Sequence, residues 1–557
     1  MKSIRHFSIT IAVFIFVLLS VNPYISANQK EQNSDGIPQL VKQGKVTQLY
    51  VDGKPFLIIG GELNNSTSSS LENMKPIWQH VTDLNFNTVI TPLSWELIEP
   101  KEGKFDFNLV DGLINGAREN KMHIVFLWLA SWKNGMSSYM PIWVKENYKK
   151  YPRVKIQKDS TVEVLSTFSK ENVQADVKAF AALMKHIKEF DGTKHTVLMM
   201  QIENEVGILG DTRDRSETAN SAFKAPVPKE LMNYLIKNKD ELVPELKRIW
   251  EGYNFKTSGK WEEVFGKGDL CDEIFMAWNY SLYVNKVTVA GKKEYPIPMY
   301  ANAWLNQECC STAGTYPSGG PLAHLIDIWH AGAPAIDILA PDLYVPDYEH
   351  RCKNFTQQGN PLFIPEMNSG DDGARNVFIA IGSYNAIGVS PFGIDRLGKM
   401  SFGPEQPKGP KETSLSKSYN IINQLSPLIL EKQKTGEIAG FVLDEKNTSV
   451  TYDMNGYKVE VSLDELFGNK AKIGYGIVMM DGPDKFIGAG SGFRVRFFSK
   501  TKKSEIIGIG SVDEGVYHDG SWIPGRRLNG DEDDQGRAWR FAFWGLSIEK
   551  CTIYKYE

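Results

Sequence analysis

Two runs of the chain combine residue types that could do chemistry. Val197-Leu198-Met199-Met200-Gln201-Ile202-Glu203-Asn204-Glu205-Val206-Gly207 takes an apolar, strand-like stretch straight into carboxylates, and Pro361-Leu362-Phe363-Ile364-Pro365-Glu366-Met367-Asn368 does the same. A carboxylate at the end of an apolar strand is costly unless it emerges at a barrel mouth, where water and substrate satisfy it. Two such groups facing one another supply a proton donor and a nucleophile or base, which is what cleavage of a glycosidic bond requires. Either glutamate alone reads as a solvated strand-end charge; the pair, in this order, points to catalysis. Spacing leaves Glu203 and Glu205 both open as the proton donor.

The elements that must position these groups follow from patterning. Between about residues 45 and 400, short β-rich apolar runs alternate with longer amphipathic stretches, the signature of βαβ units and a parallel sheet. Strands are expected at 56–60, 88–91, 123–127, 197–202, 298–301, 336–340, 362–365 and 386–389, the number that closes an α/β (β/α)8 TIM barrel. Helical spacing over 71–84 and 173–190 fits that order. A long insertion at 211–284, with a Lys/Glu-rich helical segment at 228–253, falls where barrel loops build the active-site rim. A helix-like run over 414–433 leads into short alternating strands at 438–443, 448–453, 457–461, 474–480, 493–498 and 539–543, which predicts a β-sandwich suited to packing or carbohydrate contact. The expected organisation is a signal peptide at 1–27, a catalytic barrel at 28–412, a connecting helix at 413–434 and an accessory sandwich at 435–557.

The whole chain narrows the function classes. Its 557 residues are 42% hydrophobic and 23% charged, and the net charge is −4 with Lys and Arg dispersed, so nucleic acid is not an expected partner. Lys2 and Arg5 precede an apolar run at 9–19 and the small residues Ser26-Ala27, which reads as an export leader, with a retained anchor as the alternative. The mature chain is expected to begin near Asn28, in the periplasm or outside the cell, and to lack an integral membrane segment. Cys271, Cys309, Cys310, Cys352 and Cys551 form no metal-site spacing, so neither metal nor other cofactor is expected.

With these residues in view, the chain resembles clan A glycoside hydrolases, which carry an Asn-Glu acid/base after the fourth barrel strand and a Glu nucleophile after the seventh. Asn204-Glu205 and Glu366 match. The run Gln201-Ile202-Glu203-Asn204-Glu205-Val206-Gly207 is most similar to glycoside hydrolase family 35, and the accessory sandwich resembles one found in a branch of that family. The resemblance implies that Glu205 is the acid/base, that Glu366 is the nucleophile of a retaining mechanism, and that the enzyme removes terminal β-galactose from plant-type saccharides. Pro92-Leu93-Ser94-Trp95-Glu96 resembles the second-strand motif of families 35 and 42, which implies that Trp95 and Glu96 face the sugar; barrel packing and a helix-start charge are their alternatives. Glu62 and Asn64 stand where typical members carry a His-Tyr pair that contacts the sugar, and 125–135 departs from the usual third-strand pattern. Asn204 is expected on the sugar 2-hydroxyl, and Tyr344 beside Glu366. Trp132, Trp304 and Trp329 are expected as stacking platforms or as core. The rival functions are β-glucosidase or α-L-arabinopyranosidase specificity on the same barrel, and a noncatalytic carbohydrate-binding protein.

Overall fold

The computed structural model describes residues 36–157, 160–397, 412–466, 468–500 and 504–557. The expected leader at 1–27 lies outside them. Eight parallel strands form one sheet: β1 (Ile58–Glu62), β2 (Thr88–Ser94), β3 (His123–Lys133), β4 (Val197–Asn204), β5 (Met299–Trp304), β6 (Ile338–Leu343), β7 (Glu366–Met367) and β8 (Gly388–Val389). They run in the order 7-6-5-4-3-2-1-8. The ring closes between β7 and β8 through a parallel bridge from Ile364 to Val389, and Ser390 N–H donates to the Ile364 carbonyl at 2.8 Å. The seventh and eighth strands are shorter than the sequence predicts, and β7 begins at Glu366 itself. Pro361 and Pro365 explain the late start of β7, since proline offers no N–H to a ladder.

Each strand is followed by a helix: α1 (Leu71–Asp83), α2 (Asn108–Glu119), α3 (Lys170–Asp191), α4 (Asp269–Glu294), α5 (Ile326–Gly332), α6 (Tyr348–Phe355), α7 (Asp371–Gly382) and α8 (Ser414–Thr435). Sequence accounts for α1 and α3 directly. Ser70 and Ser169 cap them by accepting from the N–H groups of Asn73 and Asn172. The buried face of α3 carries Val173, Phe180, Leu183, Met184 and Ile187 at helical spacing. The helix expected as a connector, α8, completes the eighth βα unit. Its Tyr419 hydroxyl donates to the carbonyls of Gly60 and Val389, across the seam between β1 and β8.

The barrel interior is packed by Ile58, Ile90, Val125, Leu127, Leu198, Met199, Tyr300 and Phe363. Leu49 and Val51 join this cluster from an N-terminal three-stranded sheet, Gln39–Gln43, Val46–Val51 and Lys54–Phe56, that the patterning did not reveal. The C-terminal part is all β: a six-stranded and a four-stranded antiparallel sheet share a core that includes Phe441, Val461, Phe486, Phe493, Trp539 and Phe541. Four of its strands escaped the pattern, Lys485–Ser491, Ile506–His518, Ser521–Leu528 and Ser547–Tyr556. Gly488, Gly490, Gly508, Gly510 and Gly515 interrupt the alternation in two of them, and Trp539 packs where a Gly488 side chain would stand.

Candidate active site

The C-terminal ends of β1, β3, β4, β5, β6 and β7 converge on one pocket. Glu62 ends β1, Lys133 ends β3, Asn204-Glu205 ends β4, Asn302 lies in β5, Asp342 in β6, and Glu366 opens β7. Carboxylate oxygens of Glu205, Asp342 and Glu366 all lie within 4.8 Å of one another. Glu205 and Glu366 are each 5% exposed, so both side chains are almost wholly withdrawn from bulk solvent.

The structure separates the two glutamates that spacing left open. β3 and β4 pair in register to Trp128–Ile202 and resume at Lys133–Asn204, so four residues of β3 oppose Glu203 alone. That bulge frees three amides from the ladder, and the Glu203 carboxylate accepts from the N–H groups of Ala130, Ser131 and Trp132 at 3.3, 3.1 and 2.9 Å. Glu203 is therefore committed to the wall. Glu203 and Glu205 both take left-handed φ values, 62° and 47°, which bulky residues adopt only where the surroundings enforce it. The turn this makes aims Glu205 into the pocket, where its N–H donates to Asn302 Oδ1 at 2.9 Å and its carboxylate accepts from Asn134. Gly207 continues the turn, because a side chain there would stand 2.5 Å from Pro317.

Glu366 is held from three sides. Asn204 Nδ2 donates to its Oε1 at 3.1 Å, the Tyr344 hydroxyl donates to its Oε2 at 3.0 Å, and Asn302 Nδ2 lies 3.4 Å from Oε1 while donating to Asp342 at 2.8 Å. Lys133 Nζ donates to Asn204 Oδ1 at 2.8 Å and so fixes which way that amide faces. Burial pulls the Lys133 ammonium down, but the charges of Glu366, Glu205, Glu62 and Asp342 hold it above its usual range.

The electrostatics separate the pair. Burial first, and the Glu366 charge second, push the Glu205 carboxyl up to about 8. Asp342 and Glu62 are raised well above the carboxylate range, again by burial and then by Glu366. Neither Glu62 oxygen has a hydrogen-bond partner among the described residues, although the side chain is completely buried. The triad Glu205, Asp342 and Glu366 has the spacing to surround a cation, but the Lys133 ammonium supplies positive charge there, and Asn302 and Tyr344 occupy carboxylate oxygens.

Several residues expected at the sugar are elsewhere. Trp95 is completely buried and donates to Glu99 at 2.9 Å, so it is barrel packing. Its neighbour Glu96 pairs with Lys145 at 3.8 Å on a half-exposed surface. Trp132 and Trp329 are also fully buried, Trp132 edge-on against Tyr280 and Tyr283, and neither has a face free for stacking. The Asn64 amide is tied to Asp395 at 2.9 and 3.1 Å. Trp304 is the partly exposed member of the group, and its Cα lies in register with Asp342 at the rim. The pocket also contains residues the sequence reasoning missed. Asp342 follows an apolar run, 338–341, just as Glu205 and Glu366 follow theirs, and that signal was there to use. Lys133, Asn134 and Asn302 carried none.

Residues 66–266 match the family model described as Beta-galactosidase, that of glycoside hydrolase family 42 rather than 35, and residues 415–540 match a domain of unknown function, DUF5597. Beta-galactosidase 13 of Arabidopsis thaliana is 25% identical over 211 residues, which is 36% of this chain and 23% of the relative. The chain thus spans about a quarter of that curated relative. Among solved structures, the cold-adapted β-galactosidase of Rahnella sp. R3 is 14% identical, with a TM-score of 0.44 over 68% of this chain and 57% of its own. The β-galactosidase of Bacillus circulans is 14% identical, with a TM-score of 0.44 over 67% and 57%. A parallel eight-stranded barrel with a carboxylate pocket at its C-terminal mouth defines the class. Within it, the chain carries a β-galactosidase-like glycoside hydrolase domain followed by an all-β domain.

Proposed function

We propose that this chain is a retaining exo-glycosidase that removes terminal non-reducing β-D-galactose from plant-type oligo- or polysaccharides by double displacement. The observation that carries the reading is the shared pocket of Glu205 and Glu366. Their oxygens approach within 4.8 Å. The family 35 placement rests on the Gln201–Gly207 motif, and export to the periplasm or medium rests on the charged and apolar N-terminus.

Glu205, held protonated near neutral pH, donates to the departing glycosidic oxygen while Glu366 attacks the anomeric carbon. Asn204 and Tyr344 aim the attacking carboxylate. Forming the ester removes the Glu366 charge, which lowers the proton affinity of Glu205, so it then takes a proton from water as that water displaces the sugar. On this reading Asn204, anchored by Lys133, meets the 2-hydroxyl.

One observation favours a second specificity. Glu62 replaces the His-Tyr pair with a buried, unpartnered carboxyl, and such a group reads sugar hydroxyls differently. α-L-Arabinopyranoside or β-glucoside cleavage is the resulting alternative. A panel of aryl β-galactoside, β-glucoside and α-L-arabinopyranoside, with the first-formed anomer followed by NMR, tests both points. The reading expects the highest kcat/KM on the galactoside and retention; an inverted product excludes double displacement.

A further inference from the structure

A cavity in the all-β domain shares no lining residue with the barrel pocket. Trp544 is 70% exposed, and its neighbour Phe543 meets it edge-on at a centroid distance of 5.2 Å. A large aromatic surface left in water at this level calls for an explanation, whereas a scattered leucine does not. Trp544 borders a cavity of about 230 Å³ lined by Arg526, Asp531, Arg540, Ser547 and Glu549 among others. Its floor is built rather than incidental. Glu549 is 3% exposed and accepts from Trp539 Nε1 at 2.8 Å and from Ser547 Oγ at 2.9 Å.

The charges restrict the ligand. Arg540 spends its fork on Asp464 at 2.8 and 2.9 Å, and Arg526 is taken by Glu514 at 2.8 Å and Glu532 at 3.1 Å. Each guanidinium of the cavity already faces a carboxylate, and carboxyl groups outnumber the arginines on its wall. Carboxylates with spare lone pairs ask for hydroxyl donors. Burial raises the Glu549 carboxyl to about 8, so near neutral pH it can donate as well as accept. An aromatic face beside a small set of convergent polar groups is how a concave site orients a ligand with one apolar and one hydroxylated side.

We propose that this cavity is an accessory binding site for a neutral saccharide, with one sugar ring stacked on Trp544 and its hydroxyls turned to the Asp531, Ser547 and Glu549 wall. It would keep the chain on its polymer between cleavage events at the barrel. The proposal does not depend on what the barrel hydrolyses. Migration of the full chain in native gels containing neutral galactan, arabinogalactan or xyloglucan, with polygalacturonate as the charged comparison, tests it. Retardation in at least one neutral gel is expected. Trp544→Ala should weaken it about tenfold or more, as loss of a buried aromatic anchor does, while Trp544→Phe keeps it and aryl-glycoside turnover of both variants stays unchanged. No retardation in any neutral gel, equal retardation of wild type and Trp544→Ala, or retardation by polygalacturonate alone would overturn the assignment.

Discussion

Asn204 reaches from the end of the fourth barrel strand to Glu366 at the start of the seventh, its Nδ2 3.1 Å from Oε1. On the proposed mechanism, the residue that orients the attacking carboxylate is thus the chain neighbour of the proton donor Glu205. Lys133 sets the direction of the amide by donating to its oxygen at 2.8 Å. One strand end therefore places the acid and aims its partner, and a disturbance of the 203–205 turn should damage both roles together.

The pH profile follows from the carboxyl of Glu205, which is raised from 4.5 to about 8 by burial and by Glu366. The acid must enter the reaction protonated. Measured on an aryl galactoside, kcat/KM should hold up to neutral pH and fall about tenfold per unit above pH 8. A profile that declines from pH 5 upward would contradict the assignment of Glu205 as acid.

Removing the buried ammonium should move that limb in a defined direction. Lys133 lowers the proton affinity of Glu205, so Lys133→Met is expected to shift the alkaline limb upward. It should also reduce kcat by about 10- to 100-fold, because Asn204 loses a charge-assisted partner. An unmoved limb would show that Lys133 does not share the field of the carboxylates.

The same raised carboxyl costs stability. Between pH 4.5 and 8 the folded chain holds a proton on Glu205 that the unfolded chain has released. Stability therefore declines as pH rises through that window and is recovered below it. Glu205→Gln removes the effect and should stabilise the chain by up to about 3 kcal/mol at pH 7, with no gain at pH 4. Thermal unfolding of wild type and variant at both pH values reads this directly, and a variant less stable at pH 7 would contradict it.

The two glutamates were legible in the sequence because an apolar strand that ends in a carboxylate is rarely accidental. The run from Ile338 to Asp342 has the same form, but the strand expected there stops at 340, two residues short of Asp342. Lys133 and Asn134 reach the pocket only because β3 bulges by several residues opposite Glu203, and a bulge has no period to detect. Trp95, Trp132 and Trp329 mark the opposite limit. Residue type cannot separate an aromatic that lines a pocket from one that fills the core, and all three lie fully within it. The α8 helix was visible by its spacing, whereas its place on the β1–β8 seam depended on a Tyr419 hydrogen bond to Gly60, 359 positions away.

The central claim is that Glu366 attacks the anomeric carbon that Glu205 serves with a proton. Inactivation with an activated 2-deoxy-2-fluorogalactoside, followed by peptide mapping, tests it most directly. A single fluorosugar ester on Glu366, with Glu366→Ala unlabelled, correctly folded and slowed by about 10⁴-fold or more, is the predicted result. An ester on another residue, or full turnover by Glu366→Ala, would contradict it.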